Sequence, residues 1–397
     1  MIFVLVLRLQ NELAMKTRMN KREFLKLGAC GIAGISLLRS KVLPKSLPTF
    51  NSPAIPFDGP SRHSKLSYFA TETPRGMKCL LCPNECIIKP GDLGDCHNRK
   101  NYDGKLYSIA YGNPCAVHVD PIEKKPLNHF YPGSNAYSIA TAGCNLACLN
   151  CQNWNISQIS PEETTNTDLM PEKVVNQCLA NKCLSIAYTY SEPLTFYEYT
   201  FDTATIAKEK GIKNVLVSAG YINEKPLRKL CKVIDAANID LKSFSNDIYL
   251  KLNGGTLEPV KNTLKILAEE GVWLEITNLV VPSWTDDMEM VKRMCAWLAE
   301  SGLEKYPLHF SRFHPMYKLT QLPSTPSATL NQARKIALAE GIKYVYIGNI
   351  PGSNASNTIC PKCKQVVVER KGYKITQTNM ENGKCKACGT TIDGVWK

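Results

Sequence analysis

The fold is decided by residues 141–154, which read Thr-Ala-Gly-Cys-Asn-Leu-Ala-Cys-Leu-Asn-Cys-Gln-Asn-Trp. Cys144, Cys148 and Cys151 in this stretch are spaced as Cys-x3-Cys-x2-Cys. Three thiolates hold three irons of a four-iron cluster and leave the fourth iron open to a small molecule with an amine and a carboxylate. A structural zinc ion would take four closed ligands. The motif therefore predicts a [4Fe–4S] cluster, and the competing interpretation is a three-cysteine zinc or redox site.

Around this motif, short apolar runs alternate with amphipathic helical segments. Seven such runs predict strands, at 138–142, 185–190, 214–218, 237–241, 272–281, 308–313 and 344–348. Strands separated by helices favour a parallel sheet, so we expect an α/β fold with a complete or partial β/α barrel over residues 136–349. In such a barrel the reactive residues lie at the carboxyl ends of the strands.

The three-cysteine motif directly after the first barrel strand resembles the radical S-adenosylmethionine (SAM) superfamily. The resemblance implies that the cluster passes one electron to SAM, which yields methionine and a 5′-deoxyadenosyl radical that abstracts hydrogen from a substrate. It also implies SAM contacts from Glu192, Asp240, Lys242 and His309. Of these, Asp240 and Lys242 belong to Asp240-Leu-Lys242, which is similar to the Asp-x-Lys of pyruvate formate-lyase activating enzymes. The simpler alternatives are a helix-start acid for Glu192, a solvated strand end for Lys242 and a core histidine for His309.

Several segments together resemble the radical SAM enzymes of the AmmeMemoRadiSam system, which are relatives of the pyruvate formate-lyase activating enzymes. The resemblance covers residues 76–397, and Ala219 departs from it where asparagine is expected. It implies an electron donor such as flavodoxin or ferredoxin, and Memo-like and AMMECR1-like partner proteins. The segments that carry it are 120–130, 151–158, 187–193, 311–315 and 344–349.

A second cysteine cluster lies before the barrel, in a predicted N-terminal lobe at residues 76–135. Four thiolates close a coordination shell, so this site is structural or electron-carrying. The spacing fits zinc or a second iron–sulfur cluster and favours zinc slightly, with His97 as an alternative ligand. The ligands are Cys79, Cys82, Cys86 and Cys96.

A third cluster lies in a predicted tail at residues 350–397. It consists of two Cys-x2-Cys pairs, Cys360 with Cys363 and Cys385 with Cys388, which is typical of a zinc ribbon. A rubredoxin-like single iron is the alternative. The tail carries a net charge of +5 but few aromatic residues, so no nucleic-acid partner is expected.

Composition limits the remaining choices. The chain has 397 residues, of which 44% are hydrophobic and 21% charged, which excludes a disordered protein. Its 17 cysteines are concentrated in the three clusters, which favours metal over disulfides. Of the net charge of +13, residues 1–50 carry +7. No apolar run reaches the roughly 18 residues of a membrane span.

Residues 1–50 form a predicted leader, followed by a predicted linker at 51–75. Lys21-Arg22-Glu23-Phe24-Leu25-Lys26 precedes an apolar stretch, which resembles a twin-arginine export signal with lysine in place of the first arginine. The protein is therefore expected in the cytoplasm, or exported or tethered to a membrane through this leader. The other interpretation is an amphipathic or disordered tail.

The sequence thus predicts a radical SAM enzyme whose substrate is unidentified. An incomplete barrel leaves a lateral opening that admits a large substrate, so a protein or partner-presented substrate is the working hypothesis. The alternatives are an activase that installs a glycyl radical and, in another class, a non-catalytic iron–sulfur and zinc protein for electron transfer or binding.

Overall fold

The computed structural model of the chain describes residues 59–350 and 354–396. The predicted leader lies outside these ranges, as does the first part of the predicted linker. Within them, no helix combines the length and the apolar character needed to cross a bilayer.

The N-terminal lobe contains two small antiparallel sheets. Their strands are β1 (Lys65–Leu66), β2 (Ala70–Thr73), β3 (Gly76–Cys79), β4 (Ile87–Ile88), β5 (Arg99–Tyr102) and β6 (Lys105–Ser108). The sheet orders are β1-β6-β5 and β2-β3-β4. Strands β1 and β2 lie inside the predicted linker and pair with the lobe strands β6 and β3. Tyr68 and Phe69 of the same segment pack their rings on Phe201 and Tyr197 of the main body.

The main sheet has eight strands, which are β7 (Ala116–Pro121), β8 (Asn135–Ala140), β9 (Ser185–Tyr188), β10 (Lys213–Ser218), β11 (Ala236–Asp240), β12 (Trp273–Val280), β13 (Leu308–Arg312) and β14 (Val345–Gly348). They lie side by side in chain order, from β7 at one edge to β14 at the other. Strands β8 to β14 are parallel, and they are the seven strands that the sequence predicts. The predicted α/β fold is confirmed. The antiparallel edge strand β7 was not predicted.

Helices connect the strands and cover the sheet with one apolar face. In the helix Leu257–Glu269, the buried Val260, Leu264 and Leu267 recur at the spacing of one helix face. The α-helices are α1 (Trp154–Ser157), α2 (Pro171–Ala180), α3 (Tyr197–Glu209), α4 (Glu224–Cys231), α5 (Asn246–Ile248), α6 (Leu257–Glu269), α7 (Met288–Glu300) and α8 (Ser327–Ala339).

The C-terminal tail packs at the amino ends of the parallel strands. Val395 exchanges backbone hydrogen bonds with the β7–β8 connection, accepting from Tyr131 at 2.8 Å and donating to His129 at 2.7 Å. Arg370, which is almost fully buried, donates to the Asn128 carbonyl at 2.7 Å. The tail strands are β15 (Thr358–Ile359), β16 (Val366–Lys371), β17 (Lys374–Thr378), β18 (Met380–Glu381) and β19 (Lys384–Cys385).

His129 joins the tail to the sheet as a neutral ring. Its Nδ1 lies 2.5 Å from the Asp393 carbonyl oxygen, which only accepts, so Nδ1 carries the proton. Its Nε2 lies 2.5 Å from the Tyr346 hydroxyl and accepts from it. Burial lowers the pKa of His129 from 6.5 to about 4. The ring therefore stays neutral in the folded protein over a range where it is charged in the unfolded chain.

This histidine predicts an acid-sensitive fold. Between pH 6.5 and 4 the unfolded chain binds the extra proton, so this part of the stability is present above pH 6.5 and is lost as the pH falls toward 4. The loss amounts to about 1.4 kcal/mol per pH unit. Urea unfolding at pH 7, 6 and 5 measures it. His129→Gln should be less stable at pH 7 and show a flatter pH dependence, and parallel pH curves for the two proteins would contradict the assignment.

Candidate active site

The three-cysteine loop leaves the carboxyl end of β8 and is fixed by backbone contacts. The Ala147 N–H donates to the Asn253 carbonyl at 2.8 Å, which ties the loop to the turn after α5. Gly143 has a φ of 96°. A Cβ at this position would lie 2.4 Å from the Cys96 carbonyl oxygen, so only glycine allows the lobe to approach this closely.

The three cysteines of this loop lie in one region, with their sulfur atoms separated. Cys148 is buried, and Cys144 and Cys151 are half-buried. Their sulfurs do not all lie within 4.8 Å of one another, whereas the four tail cysteines do. The Asn253 amide donates to Cys148 Sγ at 3.2 Å. The loop therefore presents three thiols at a spacing wider than one tetrahedral ion would impose.

Burial raises the pKa of the Cys144 thiol well above its usual value, and the nearby Glu192 carboxylate raises it further. Burial likewise raises the pKa of Cys151. These thiols are protonated at neutral pH in the metal-free loop. A bound cation must therefore supply the charge that turns them into thiolate ligands.

Glu192 lies beside the loop, just after β9. Its carboxylate accepts from the Ser218 hydroxyl at 2.7 Å, the Ala219 N–H at 2.8 Å and the Leu194 N–H at 3.1 Å. Burial raises its pKa despite these bonds. These bonds join the ends of β9 and β10. A carboxylate has about four acceptor positions, so one position of Glu192 is not used by these three donors.

Asp240 and Lys242 lie at the carboxyl end of β11. Lys242 Nζ is 2.8 Å from Asp240 Oδ2, and its side chain is 22% exposed. Burial opposes its charge, but Asp240 and Cys148 raise the pKa of Lys242 well above its usual value. The charge of Lys242 also acts on Cys151 and Glu192. The structure thus brings the three cysteines, Glu192, Asp240 and Lys242 together.

His309 does not join this group. It is the second residue of β13, toward the amino ends of the strands. Its Nε2 lies 2.7 Å from Glu275 Oε2, and its ring stacks on Tyr346 at 5.0 Å. Glu275 also accepts from the His129 backbone N–H, which belongs to the tail-docking network. This placement agrees with the core-histidine alternative, because the start of a parallel strand and the cysteine loop lie at opposite edges of the sheet.

Another histidine, which is not among the predicted site residues, lies at the carboxyl edge of the sheet, where the cysteine loop also lies. His314 follows the carboxyl end of β13 and is exposed, with Nδ1 3.1 Å from Ser324 Oγ. Its loop reaches the cysteine loop, where the Lys318 N–H donates to the Leu149 carbonyl at 3.0 Å. The signal was present in the sequence, since a polar residue just past a barrel strand is the expected position for function.

The other two cysteine clusters differ in geometry. In the tail, the Cys360–Cys388 and Cys363–Cys385 sulfur pairs each lie 3.6 Å apart. Hydrogen bonds with Thr390 lower the pKa of Cys388 to about 6, which favours a thiolate ligand. In the lobe, the four cysteines line one cavity together with Arg99 and Asn145. Burial raises the pKa of Cys82 there to about 12. The tail cysteines thus form one close group, and the lobe cysteines share one cavity.

The parallel sheet and the cysteine loop at its carboxyl edge have the arrangement of α/β enzymes, whose reactive residues lie at the carboxyl ends of the strands. The family model of the radical SAM superfamily matches residues 138–295. Uncharacterized protein MJ0808 of Methanocaldococcus jannaschii is 46% identical over 319 residues, which are 80% of this chain and 95% of that protein. The chain belongs to the radical SAM superfamily. This membership implies a [4Fe–4S] cluster and SAM as cofactors.

Two activating enzymes are among the more distant similarities. Pyruvate formate-lyase 1-activating enzyme of Escherichia coli K12 is 26% identical over 220 residues, which are 51% of this chain and 89% of that enzyme. A crystal structure of a domain of pyruvate-formate lyase-activating enzyme from Bacteroides vulgatus covers 42% of this chain and 99% of that chain, at 16% identity and a TM-score of 0.37. Enzymes of the activase type need a reductant such as flavodoxin or ferredoxin.

Proposed function

We propose that Cys144, Cys148 and Cys151 hold the [4Fe–4S] cluster and that the protein cleaves SAM reductively. The supporting observation is the convergence of these thiols with Glu192 and the Asp240–Lys242 pair at one edge of the sheet. The number of ligands fits a [4Fe–4S] cluster with one open iron, because the loop offers three thiols and a saturated site needs four ligands. When bound, the cluster and SAM supply the electron transfer and the 5′-deoxyadenosyl radical.

The chain supplies binding and orientation. Lys242 holds a positive charge beside the cysteines, which suits the carboxylate of SAM, and Asp240 aims its ammonium. Glu192 keeps one acceptor position, which suits the amino group of SAM. His314 replaces His309 as the proposed strand-end histidine that contacts the cofactor.

Lys242→Ala is expected to weaken SAM binding about ten- to a hundredfold, because it removes a charge-assisted hydrogen bond of about 1.5–3 kcal/mol. The dissociation constant for SAM, measured by equilibrium dialysis on the reconstituted protein, gives the effect. Iron content should stay unchanged, because Lys242 is not a cluster ligand.

The matched control is Lys251→Ala, which removes an exposed lysine nine residues further along the same connection. It should bind SAM like the parent protein. Equal dissociation constants for Lys242→Ala and the parent would show that Lys242 is a solvated strand-end residue.

We further propose that the radical acts on a polypeptide that a partner protein presents. Exposed apolar side chains lie beside the cysteine loop. Trp154 is 45% exposed and stacks on Tyr317 at 5.4 Å, next to Met316, which is 37% exposed. A rim of this kind suits an apolar peptide segment better than a small polar metabolite. The partners proposed are Memo-like and AMMECR1-like proteins.

Glycyl-radical activation is the second candidate function. It is favoured by the similarity to the pyruvate formate-lyase 1-activating enzyme, which extends over 51% of this chain. In this case too the substrate is a polypeptide, but the product is a stored radical and not a modified side chain.

The test mixes reduced enzyme and SAM with each partner protein and follows 5′-deoxyadenosine and the mass of the partner. A mass change on a Memo-like or AMMECR1-like protein supports the first candidate. A stable glycyl signal in electron paramagnetic resonance replaces it with the second. Strong stimulation by a small metabolite, with no response to any partner, overturns the polypeptide substrate.

A further inference from the structure

The cavity of the N-terminal lobe is lined by all four cysteines of this region, Cys79, Cys82, Cys86 and Cys96. Asn145 of the active-site loop lines it as well. Cys86 is half-buried and the other three cysteines are buried, and none of the four is in a disulfide.

The spacing of the sulfurs distinguishes this cavity from the tail site. Around one zinc ion with Zn–S bonds of about 2.3 Å, the sulfurs stand about 3.8 Å apart. The tail pairs, at 3.6 Å, have this geometry. In the described part of the chain only the tail group brings three or more ligand atoms within 4.8 Å of one another. The lobe cysteines are spread more widely, as are the three active-site cysteines.

A cubane cluster binds each thiolate through a different iron, so its thiolates stand farther apart than those around one ion. We propose that the lobe cavity binds an iron–sulfur cluster, and that this cluster exchanges one electron with the active site. The sequence alone favoured zinc slightly at these cysteines. The second half of the proposal rests on the proposed function, whereas the identity of the cluster does not.

Arg99 provides an independent observation that an anion belongs in the cavity. Its side chain is 1% exposed, and Nη1 donates to Glu198 Oε2 at 2.7 Å. Its Nε and Nη2 have no hydrogen-bond partner among the described residues. Buried N–H donors without an acceptor are costly. Thiolate and sulfide sulfurs of a cluster would accept hydrogen bonds from these two groups.

The cavity lies against the loop that carries Cys144. The Asn84 amide of the lobe donates to the Asn145 carbonyl at 3.0 Å, and the Asn98 amide donates to the Ala142 carbonyl at 2.7 Å. Asn145 thus lines the lobe cavity and is covalently adjacent to Cys144. These contacts form a short bonded route for an electron.

The electron transfer balances with one external reductant. A one-electron donor of the flavodoxin or ferredoxin class reduces the lobe cluster. One electron then passes from the lobe cluster, which is oxidised, to the active-site cluster, which is reduced. No proton or leaving group is involved in this step.

The first test is metal analysis of the full chain after anaerobic reconstitution with iron and sulfide, in the variant Cys144→Ala/Cys148→Ala/Cys151→Ala. The expected content per chain is about four irons, about four sulfides and about one zinc, because the lobe cluster remains. Absence of iron, with either one or two zinc ions, overturns the proposal. This result does not depend on SAM cleavage, so it can fail while the proposed function stands.

The second test measures proximity by electron paramagnetic resonance of the reduced proteins. The parent should show a spectrum broadened by spin coupling between two clusters. The Cys82→Ala/Cys96→Ala variant, which lacks the lobe cluster, and the triple active-site variant should each show an uncoupled signal. A parent spectrum equal to the sum of the two variant spectra would overturn the electron exchange.

Discussion

Simultaneous replacement of Cys144, Cys148 and Cys151 by alanine is expected to reduce 5′-deoxyadenosine formation to the level of protein-free controls. Each of these thiols is assigned one iron, and no other thiol lies on their loop. The assay is anaerobic turnover of SAM with a chemical reductant, followed by chromatography of the nucleoside products. Full production by the triple variant would refute the assignment of the active-site cluster.

A matched control separates loss of ligands from loss of fold. Cys183 is also buried, but it lies after α2, and its thiol donates to the backbone carbonyl of Asn181 at 3.8 Å. Cys183→Ala removes a thiol of the same kind outside the site. It should retain both the iron content and the product yield of the parent.

Removal of a metal from the tail site is expected to unfold the tail while the main sheet remains. Cys385→Ser/Cys388→Ser takes two of four ligands from sulfurs that stand 3.6 Å from their partners. Structural zinc contributes about 10–16 kcal/mol to the folding of small domains, and this tail has few apolar residues to replace that contribution. Zinc should fall by about one equivalent per chain, and hydrogen exchange over residues 358–396 should accelerate to the rate of an unfolded segment.

The control for this experiment is Lys384→Ala/Lys386→Ala, which changes the exposed neighbours of Cys385. Its zinc content and exchange rates should match those of the parent. If the cysteine variant loses zinc but keeps full protection of its tail amides, the docking contacts of Val395 and Arg370 are sufficient to hold the tail, and the metal is not structural.

The active-site cysteines could be found without a structure because their chemistry is local. Three thiols within eight residues, directly after an apolar strand, specify both the ligands and their place in a barrel. The same holds for Asp240 and Lys242, since two polar residues that end a strand must lie at its carboxyl edge. The seven parallel strands were predictable for a similar reason, because buried parallel strands form continuous apolar runs.

The sequence places His309 on a strand but does not show which end of the strand it occupies. The two ends lie at opposite edges of the sheet, and His309 is near the amino end of β13. His309 and His314 are close together in the sequence. His309 contacts Glu275 and the tail-docking network, whereas His314 lies beside the cysteine loop. The antiparallel strand β7 was missed because it is a half-exposed edge strand in which His118 and Asp120 interrupt the apolar run. The start of the lobe was missed because β1 is short and pairs with β6, much later in the chain.

Local sequence therefore determines the three sets of thiols, the seven parallel strands and the α/β class, because each depends on residues close together in the chain. Tertiary packing decides which thiols stand close enough for one ion and which are spread around a cavity. It also decides that Arg99 is buried against that cavity and that Asn145 joins it to the active site. Such distances join residues far apart in sequence, and only the packed chain sets them.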